Sequence, residues 1–476
     1  MVEIDEELEN RIGEVTRKTK DMGIPVMILI EGAPASGKSR LSNALYMALD
    51  AKYTDFVATR PPRELDLRYP FLQRYWQHLP KNGDINIHFR SWYSQYIEYK
   101  VRGIKENIRV DYDEIKDDME NFEDTLRNNG YEIIKFYVHA DEDIKQKHID
   151  KLNANPVLKW KAEEFQERLE DFDYEGEMEQ FLNSSSESQW TKIDFEEKDE
   201  AVNKLFETVI TRLEERIESE DNAGKTESDG DFSEDYEAEL FKFDFEKEKL
   251  KKKEYKKILP GLQERMREIQ FQLYEEKIPL VLVYEGMDAA GKGGNIERTR
   301  QLLDPTGYTV NATGAPTDME LAHHYLWRFA TEVPRSGHIG FFDRSWYGRV
   351  MVERIEGFAS NAQWKQSYGE INDFEKSLYN SGAIIIKFFL SLDKDEQLER
   401  FQDRENDEDK AWKLTEEDWR NREKWDLYIE ASEDMIRETS TDYAPWHIIP
   451  GNNKRYARIA ALRKIIETCE VQIKNK

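Results

Sequence analysis

"IPVMILIEGAPASGKS" (residues 24–39) is an apolar run that ends in a glycine-rich loop with the pattern G-x-x-x-x-G-K-[ST], from Gly32 through Lys38 to Ser39. A continuous apolar run reads as a parallel strand covered on both faces. The loop after it points backbone N–H groups and a helix N-terminus at an anion, and its lysine reaches the outer phosphates. "IPLVLVYEGMDAAGKGGN" (278–295) repeats this arrangement, with Gly293 where the pattern wants Ser or Thr.

The two stretches belong to a longer internal repeat. Ile24 and Ile278 stand 254 residues apart, and this spacing holds without a gap for about seventy residues. It pairs Gly32 with Gly286, Lys38 with Lys292, Arg74 with Arg328, and "RSWY" at 90–93 with "RSWY" at 344–347. After one small deletion the spacing becomes 252, pairing "IIKFYVHAD" (133–141) with "IIKFFLSLD" (385–393) and Trp160 with Trp412. The chain is a duplication. We expect a phosphate-loop kinase-like domain over 1–217, an acidic linker over 218–237 and a second such domain over 238–476. Strands alternating with helices predict two tandem doubly wound α/β parallel sheets, whose ligands sit at the carboxyl ends of the strands.

Composition narrows the partners. The 476 residues carry a formal charge of −28, which argues against nucleic acid and anionic membranes as partners. It leaves room for an anionic substrate, because charges are screened beyond about 8 Å at physiological salt. The run "KLKKKEYKKIL" (249–259) reads as the solvated face of a helix. Cys469 is the only cysteine, so no intrachain disulfide forms and a reducing compartment fits. The acidic start "MVEIDEELEN" lacks a signal-peptide pattern, and no apolar run nears the roughly 20 residues of a membrane span. A cytoplasmic location is expected.

Phosphoryl transfer needs more than a phosphate loop: developing charge is neutralised by cations, including a metal held by acids. The second copy has Asp288 inside its loop and Asp343 at the end of the strand-like "HIGFFD", where a metal-binding aspartate belongs. The first copy has Pro34 and Phe89 at those positions. The helix-like "EQLERFQDRE" places Arg400 and Arg404 on one face as a clamp for phosphates, and the first copy has His148 and Leu152 there. The less regular loop is therefore the expected active one, and the first half the degenerate one. "LAHHYLWRF" reads as an amphipathic helix with His323 and His324 as pocket or surface residues, and no spaced histidine cluster suggests a further metal site.

"EGMDAAGKGG", "GAPTDMEL", "LWRFATEVPRSGHIGFFDRSWYGRVMVERIEGF", "AWKLTEEDW" and "STDYAPWHIIPGNNKRYAR" closely resemble motifs of the family-2 polyphosphate kinases. The resemblance implies phosphoryl transfer from inorganic polyphosphate to a nucleotide, with Mg²⁺ or Mn²⁺ held by Asp288 and Asp343. Lys292, Arg344, Arg400 and Arg404 would hold phosphates. Gly286, Ala289, Ala290, Gly291, Gly293 and Gly294 would form the loop, and residues near 394–424 a lid. Thr317, Arg349 and Arg354 would contact the nucleotide. A tandem chain with one intact half is similar to the branch that converts AMP to ADP, while single-domain relatives more often take ADP as acceptor. Homo-oligomers are compatible with this reading. The loop and Asp343 by themselves fit an ATP-dependent kinase equally well; the full motif set favours polyphosphate.

Overall fold

The computed structural model describes residues 5–102, 111–171, 173–184, 190–222, 232, 241–243, 247–409 and 411–474. Among the described residues, ten strands form two five-stranded sheets. The first contains β1 (Val26–Glu31), β2 (Thr54–Ala58), β3 (Ile85–Phe89), β4 (Glu132–His139) and β5 (Trp190–Asp194), in the order β2-β3-β1-β4-β5. The second contains β6 (Leu280–Gly286), β7 (Tyr308–Ala312), β8 (Ile339–Asp343), β9 (Ile384–Ser391) and β10 (Trp446–Pro450), in the order β10-β9-β6-β8-β7. Both orders describe one topology, and every strand pair is parallel. The expected fold class and duplication hold.

The apolar runs occupy the central strands for a physical reason. β1 is buried throughout, and β6 along all but its last residue, because helices cover both faces of the sheet. Each sheet also buries one ion pair. Lys387 on β9 meets Glu375 at 2.7 Å, and Glu375 also accepts from Trp346 Nε1 and Tyr347 Oη. The first half keeps the same set as Lys135, Glu123, Trp92 and Tyr93. "RSWY" is thus retained partly because its aromatic pair satisfies a buried carboxylate.

The halves pack face to face by a local two-fold relation. Asn82 N donates to Ala322 O at 2.7 Å, and Ser336 N donates to Arg68 O at 2.6 Å. The repeat spacing of 254 carries one bond onto the other. Helices Tyr112–Asn128 and Asn361–Asn380 pack together on the same relation. Asn129 donates to Glu370 and Asn380 donates to Asp118, 252 residues apart as acids. One hydrophobic cluster runs through both halves, with Trp76 set edge-on to Phe374. This is the isologous interface of a symmetric dimer, written into one chain.

Two expectations change. "LAHHYLWRF" is not one helix: short helices Asp318–Leu321 and Trp327–Ala330 flank the histidines. His324 lies buried against Trp76 in the interface, and burial pushes its imidazole down to about 3. Helix Lys198–Asn222 extends into the stretch read as linker; of the remainder up to 237, Phe232 alone lies within the described residues. Among the described residues no helix is long and apolar enough to cross a membrane.

The interface generates a pH prediction. Burial raises the Asp118 carboxyl to about 7. The folded state then binds a proton that the unfolded state lacks between about pH 4 and pH 7, so this group's contribution to stability falls as pH rises through that window. Asn380 Oδ1 is buried without a hydrogen-bond partner, and the amide that Asp118→Asn introduces can donate to it. Asp118→Asn should raise the melting temperature at pH 8 and leave it nearly unchanged at pH 4, as measured by thermal denaturation at both values.

Candidate active site

The strand β6 leads into the second loop, whose backbone is bent by Gly286 (φ 135°), Ala289 (φ 62°) and Gly291 (φ 106°). A side chain at Gly286 would place its Cβ 2.3 Å from Leu390 O, so glycine is required where the loop leaves the sheet. Helix Lys292–Arg300 begins at the loop's end. Lys292 Nζ folds back onto Gly286 O at 2.6 Å and Met287 O at 3.4 Å.

Around that loop stand two acids and two cations. Asp288 Oδ1 accepts from Arg344 Nη2 at 3.0 Å, and its Oδ2 accepts from Asn421 Nδ2 at 2.8 Å. Arg344 also approaches Glu417 at 3.6 Å. It holds a positive φ of 63°, a strained conformation that turns the chain at the end of β8 toward the loop. Glu285 is buried and accepts from Ser345 Oγ at 2.8 Å; burial raises its carboxyl, and Lys292 opposes the rise. These groups share a cleft of about 60 Å³ whose apolar side includes Met351, Phe389 and Trp425.

Asp343 ends β8 beside the loop helix. A Cβ built on Gly293 would lie 3.4 Å from Asp343 Oδ2. The missing hydroxyl at Gly293 and the carboxylate at Asp343 therefore share one place: glycine leaves the room that the acid faces. In the first half Ser39 stands opposite Phe89, the reverse arrangement. Asp343 and Asp288 offer hard oxygen donors, as Mg²⁺ prefers. Among the described residues no three acids or histidines are grouped as a full ligand cage. Mg²⁺ keeps water and substrate oxygens among its ligands, so it needs only one or two carboxylates from the protein.

Arg400 serves differently from the clamp expected of it. It is buried; its Nη1 donates to Ala289 O at 2.8 Å and Ala290 O at 3.3 Å, and its Nη2 donates to Gly451 O at 2.8 Å and Asn452 O at 2.9 Å. Its Nε donates to Glu396 at 2.7 Å. Arg400 braces the loop from behind, with no donor turned to the cleft. His148, its counterpart, does the same in the first half: Nδ1 lies 2.7 Å from Ala35 O, the equivalent of Ala289 O. Arg404 is half-buried one turn on, near enough to Lys454 to lower that ammonium, together with burial and with Arg400 and Arg458. Arg458 Nη2 lies 3.1 Å from where a Cβ on Gly294 would be, so Gly294 makes room for it.

The nucleotide-contact candidates lie outside the cleft. Thr317 caps helix Asp318–Leu321 through a reciprocal bond with Glu320. Arg349 pairs with Glu353 and covers the Tyr325 ring. Arg354 is buried between Trp364, Phe232 and Asp434. Its packing holds the fold around the site and turns the guanidinium away from the cleft.

Reading the sequence passes over Asn421, Gln397, Lys454 and Arg458. Gln397 Nε2 donates to Asp288 O at 3.1 Å, and Tyr428 Oη donates to Asn421 Oδ1 at 3.0 Å, so the helices Lys394–Glu405 and Glu416–Glu423 reach the loop. Lys454 and Arg458 did carry a signal. Cations in the first turns of a helix oppose its dipole, so their presence in helix Lys454–Lys474 calls for an anion or another role.

Brace and clamp separate experimentally. Arg400→Ala strands four loop carbonyls and should cost about 3 kcal/mol or more of stability. Arg404→Ala should leave the melting temperature within about 2 °C and change kcat/KM instead. Thermal denaturation and steady-state kinetics on both variants check the pair.

Comparison with known proteins places this geometry. The family model described as Polyphosphate kinase 2 matches residues 3–221 and again 249–476, one match per half. The chain is 36% identical over 459 residues to a polyphosphate:AMP phosphotransferase of Pseudomonas aeruginosa, covering 94% of this chain and 91% of the relative. A polyphosphate:AMP phosphotransferase of Acinetobacter johnsonii is 35% identical, with 93% and 90% covered. A crystal structure of a polyphosphate kinase 2 candidate from Pseudomonas aeruginosa superposes with a TM-score of 0.82 at 34% identity, over 98% of this chain and 95% of that one. By sequence, repeat and fold, the chain belongs to the polyphosphate kinase 2 family, with two copies of the family unit in one polypeptide.

Proposed function

We propose that this chain transfers the terminal phosphoryl group of inorganic polyphosphate to AMP, giving ADP and a chain one phosphate shorter. The observation that carries the reading is Asp288 grouped with Lys292 and Arg344 in one cleft, with Asp343 beside Gly293 of the same loop, against Pro34 and Phe89 at the other. AMP is favoured over ADP as acceptor because near full-length likeness, through both copies, is to relatives named for AMP.

In the reaction the P–O bond to the terminal phosphoryl group breaks, and a bond forms to an oxygen of the AMP phosphate. That oxygen is already ionised, so no general base is needed. The task of the residues is to place two anions against each other and to neutralise them. Lys292, now on the loop carbonyls, is within the cleft to meet the outer phosphates. Arg344 is held by Asp288, itself fixed by Asn421, so its guanidinium faces the cleft in a fixed orientation. Asp288 and Asp343 would hold Mg²⁺ or Mn²⁺, which when bound supplies positive charge between the phosphates. The walls formed by helices Glu416–Glu423 and Trp425–Thr439 exclude water and so limit loss of the phosphoryl group to hydrolysis.

Incubation with long-chain polyphosphate, Mg²⁺ and AMP should yield ADP, quantified by ion-exchange chromatography; turnover with ATP alone as donor would reject the reading, and preferential formation of ATP from ADP would move it to the ADP-accepting branch. Asp343→Asn should lower kcat by about 10²-fold or more. Lys38→Ala, the edit at the other loop, should leave kcat near that of the unaltered chain. A larger kcat loss from Lys38→Ala than from Asp343→Asn would reverse the roles of the halves.

A further inference from the structure

The first half has kept the phosphate loop and lost the acids, and its cavity is the larger one. It measures about 370 Å³ and is lined by Lys38, Arg40, Arg90, Lys151 and Lys161, with Glu164 as its only acid. The second-half cleft balances Lys292 and Arg344 against Glu285 and Asp288; of these two acids the first half keeps only the counterpart of Glu285, the buried Glu31. The degenerate half is thus strongly cationic at its loop in a chain of net charge −28.

Loss of the acids created that imbalance. Arg344 is neutralised by Asp288 and Glu417, whereas Arg90 has Pro34 beside it in place of Asp288. Lys151 stands where the second copy has Asp403, a reversal of sign on the same helix face. Among the described residues, Arg90, Lys151 and Lys161 have no ion-pair partner. Glu164 lies 3.7 Å from Arg168, which is held by Glu98. Burial and the neighbouring Arg90 hold the Lys38 ammonium well below its ordinary range, against the pull of the buried Glu31, while Nζ donates to Gly32 O and Ala33 O.

The loop itself is intact as a cradle. Ser36 lies inside it, fully buried. The loop backbone remains in its binding form: Gly32 (φ 153°), Ala35 (φ 61°) and Gly37 (φ 97°) match Gly286, Ala289 and Gly291. Helix Lys38–Ala48 presents its N-terminus to the same space.

We infer that the first-half cavity, around Ser36, Lys38, Arg40, Arg90, Lys151 and Lys161, is a metal-independent binding site for a condensed phosphate, occupied by a segment of the polyphosphate chain. The assignment to polyphosphate rests on the donor proposed above. With Pro34 and Phe89 in place of the two aspartates and Glu164 beside Arg168, the site lacks the paired carboxylates that would share a divalent ion with a nucleotide's phosphates. The inner phosphates of a long chain carry single charges at regular spacing and need only cations. Such a site holds the donor chain without cleaving it and raises its local concentration at the other half.

The test is calorimetric titration of the full chain with tripolyphosphate in excess EDTA, with AMP and ADP in parallel arms. The unaltered chain should bind tripolyphosphate without metal. The double change Lys151→Glu with Lys161→Glu should weaken this about ten-fold or more and leave the melting temperature unchanged. Lys292→Ala should leave metal-free binding in place. The inference is overturned if the double variant binds as the unaltered chain does, if Lys292→Ala abolishes metal-free binding, or if ADP binds there and tripolyphosphate does not. If the chain forms no ADP from polyphosphate yet binds tripolyphosphate in EDTA with this variant dependence, the donor reading fails and the site stands.

Discussion

A loop that cradles phosphates must hold its backbone in conformations that L-residues avoid, and something must hold it there while no phosphate is bound. Among the described residues, four of the five non-glycine positions with positive φ are Ala35, Arg90, Ala289 and Arg344, two in each half. Such strain persists only where the surroundings over-determine it. Here a side chain from the helix after the fourth strand of each half grips the carbonyl of the strained alanine, Arg400 on Ala289 and His148 on Ala35. Two different residues meet one requirement, so the loop keeps the same backbone in the first half although Pro34 and Phe89 stand there for Asp288 and Asp343.

The duplication explains why such a loss was tolerated. The halves meet through reciprocal contacts, as Asn82 to Ala322 and Ser336 to Arg68 show. Buried residues of each, including Trp76 and Phe374, share one core. Removing a half would expose that core to water, so the first half is retained for stability whatever happens at its loop. Once both copies lie on one chain, mutations at either site act on that site alone, and the two can diverge.

Much of this was legible in the sequence because the relevant signals are local. The apolar runs at Val26 and Leu280, the spacing of the repeats, and the exchange of Asp288 and Asp343 for Pro34 and Phe89 need no tertiary information. What escaped is long-range. Arg400 looked like a clamp because helical spacing shows a face but not what packs on it; the carbonyls of Gly451 and Asn452 reach it from a strand end some fifty residues later. Asn421 is an amide on a polar helix, a type with no titration to mark it, and only the fold brings it to Asp288. Arg354 carries the residue type of an anion contact, yet its stacking on Trp364 is a packing decision made by the surrounding helices.

Charge is where the two loops part. Placing acids beside a phosphate site weakens binding of the bare anion, and the second-half cleft does so by setting Glu285 and Asp288 against Lys292 and Arg344. The first-half loop, with Pro34 for Asp288, has no such balance, and its cations act directly at short range, where the chain's distant negative charge is screened. The same ancestral cradle has therefore reached two electrostatic solutions on one polypeptide: a small, balanced cleft built around Glu285 and Asp288, and a wide cationic cavity built around Lys38 and Arg90. A polymeric substrate is the kind of ligand that can use both, since it presents identical groups at many points and can be gripped at one while it reacts at another.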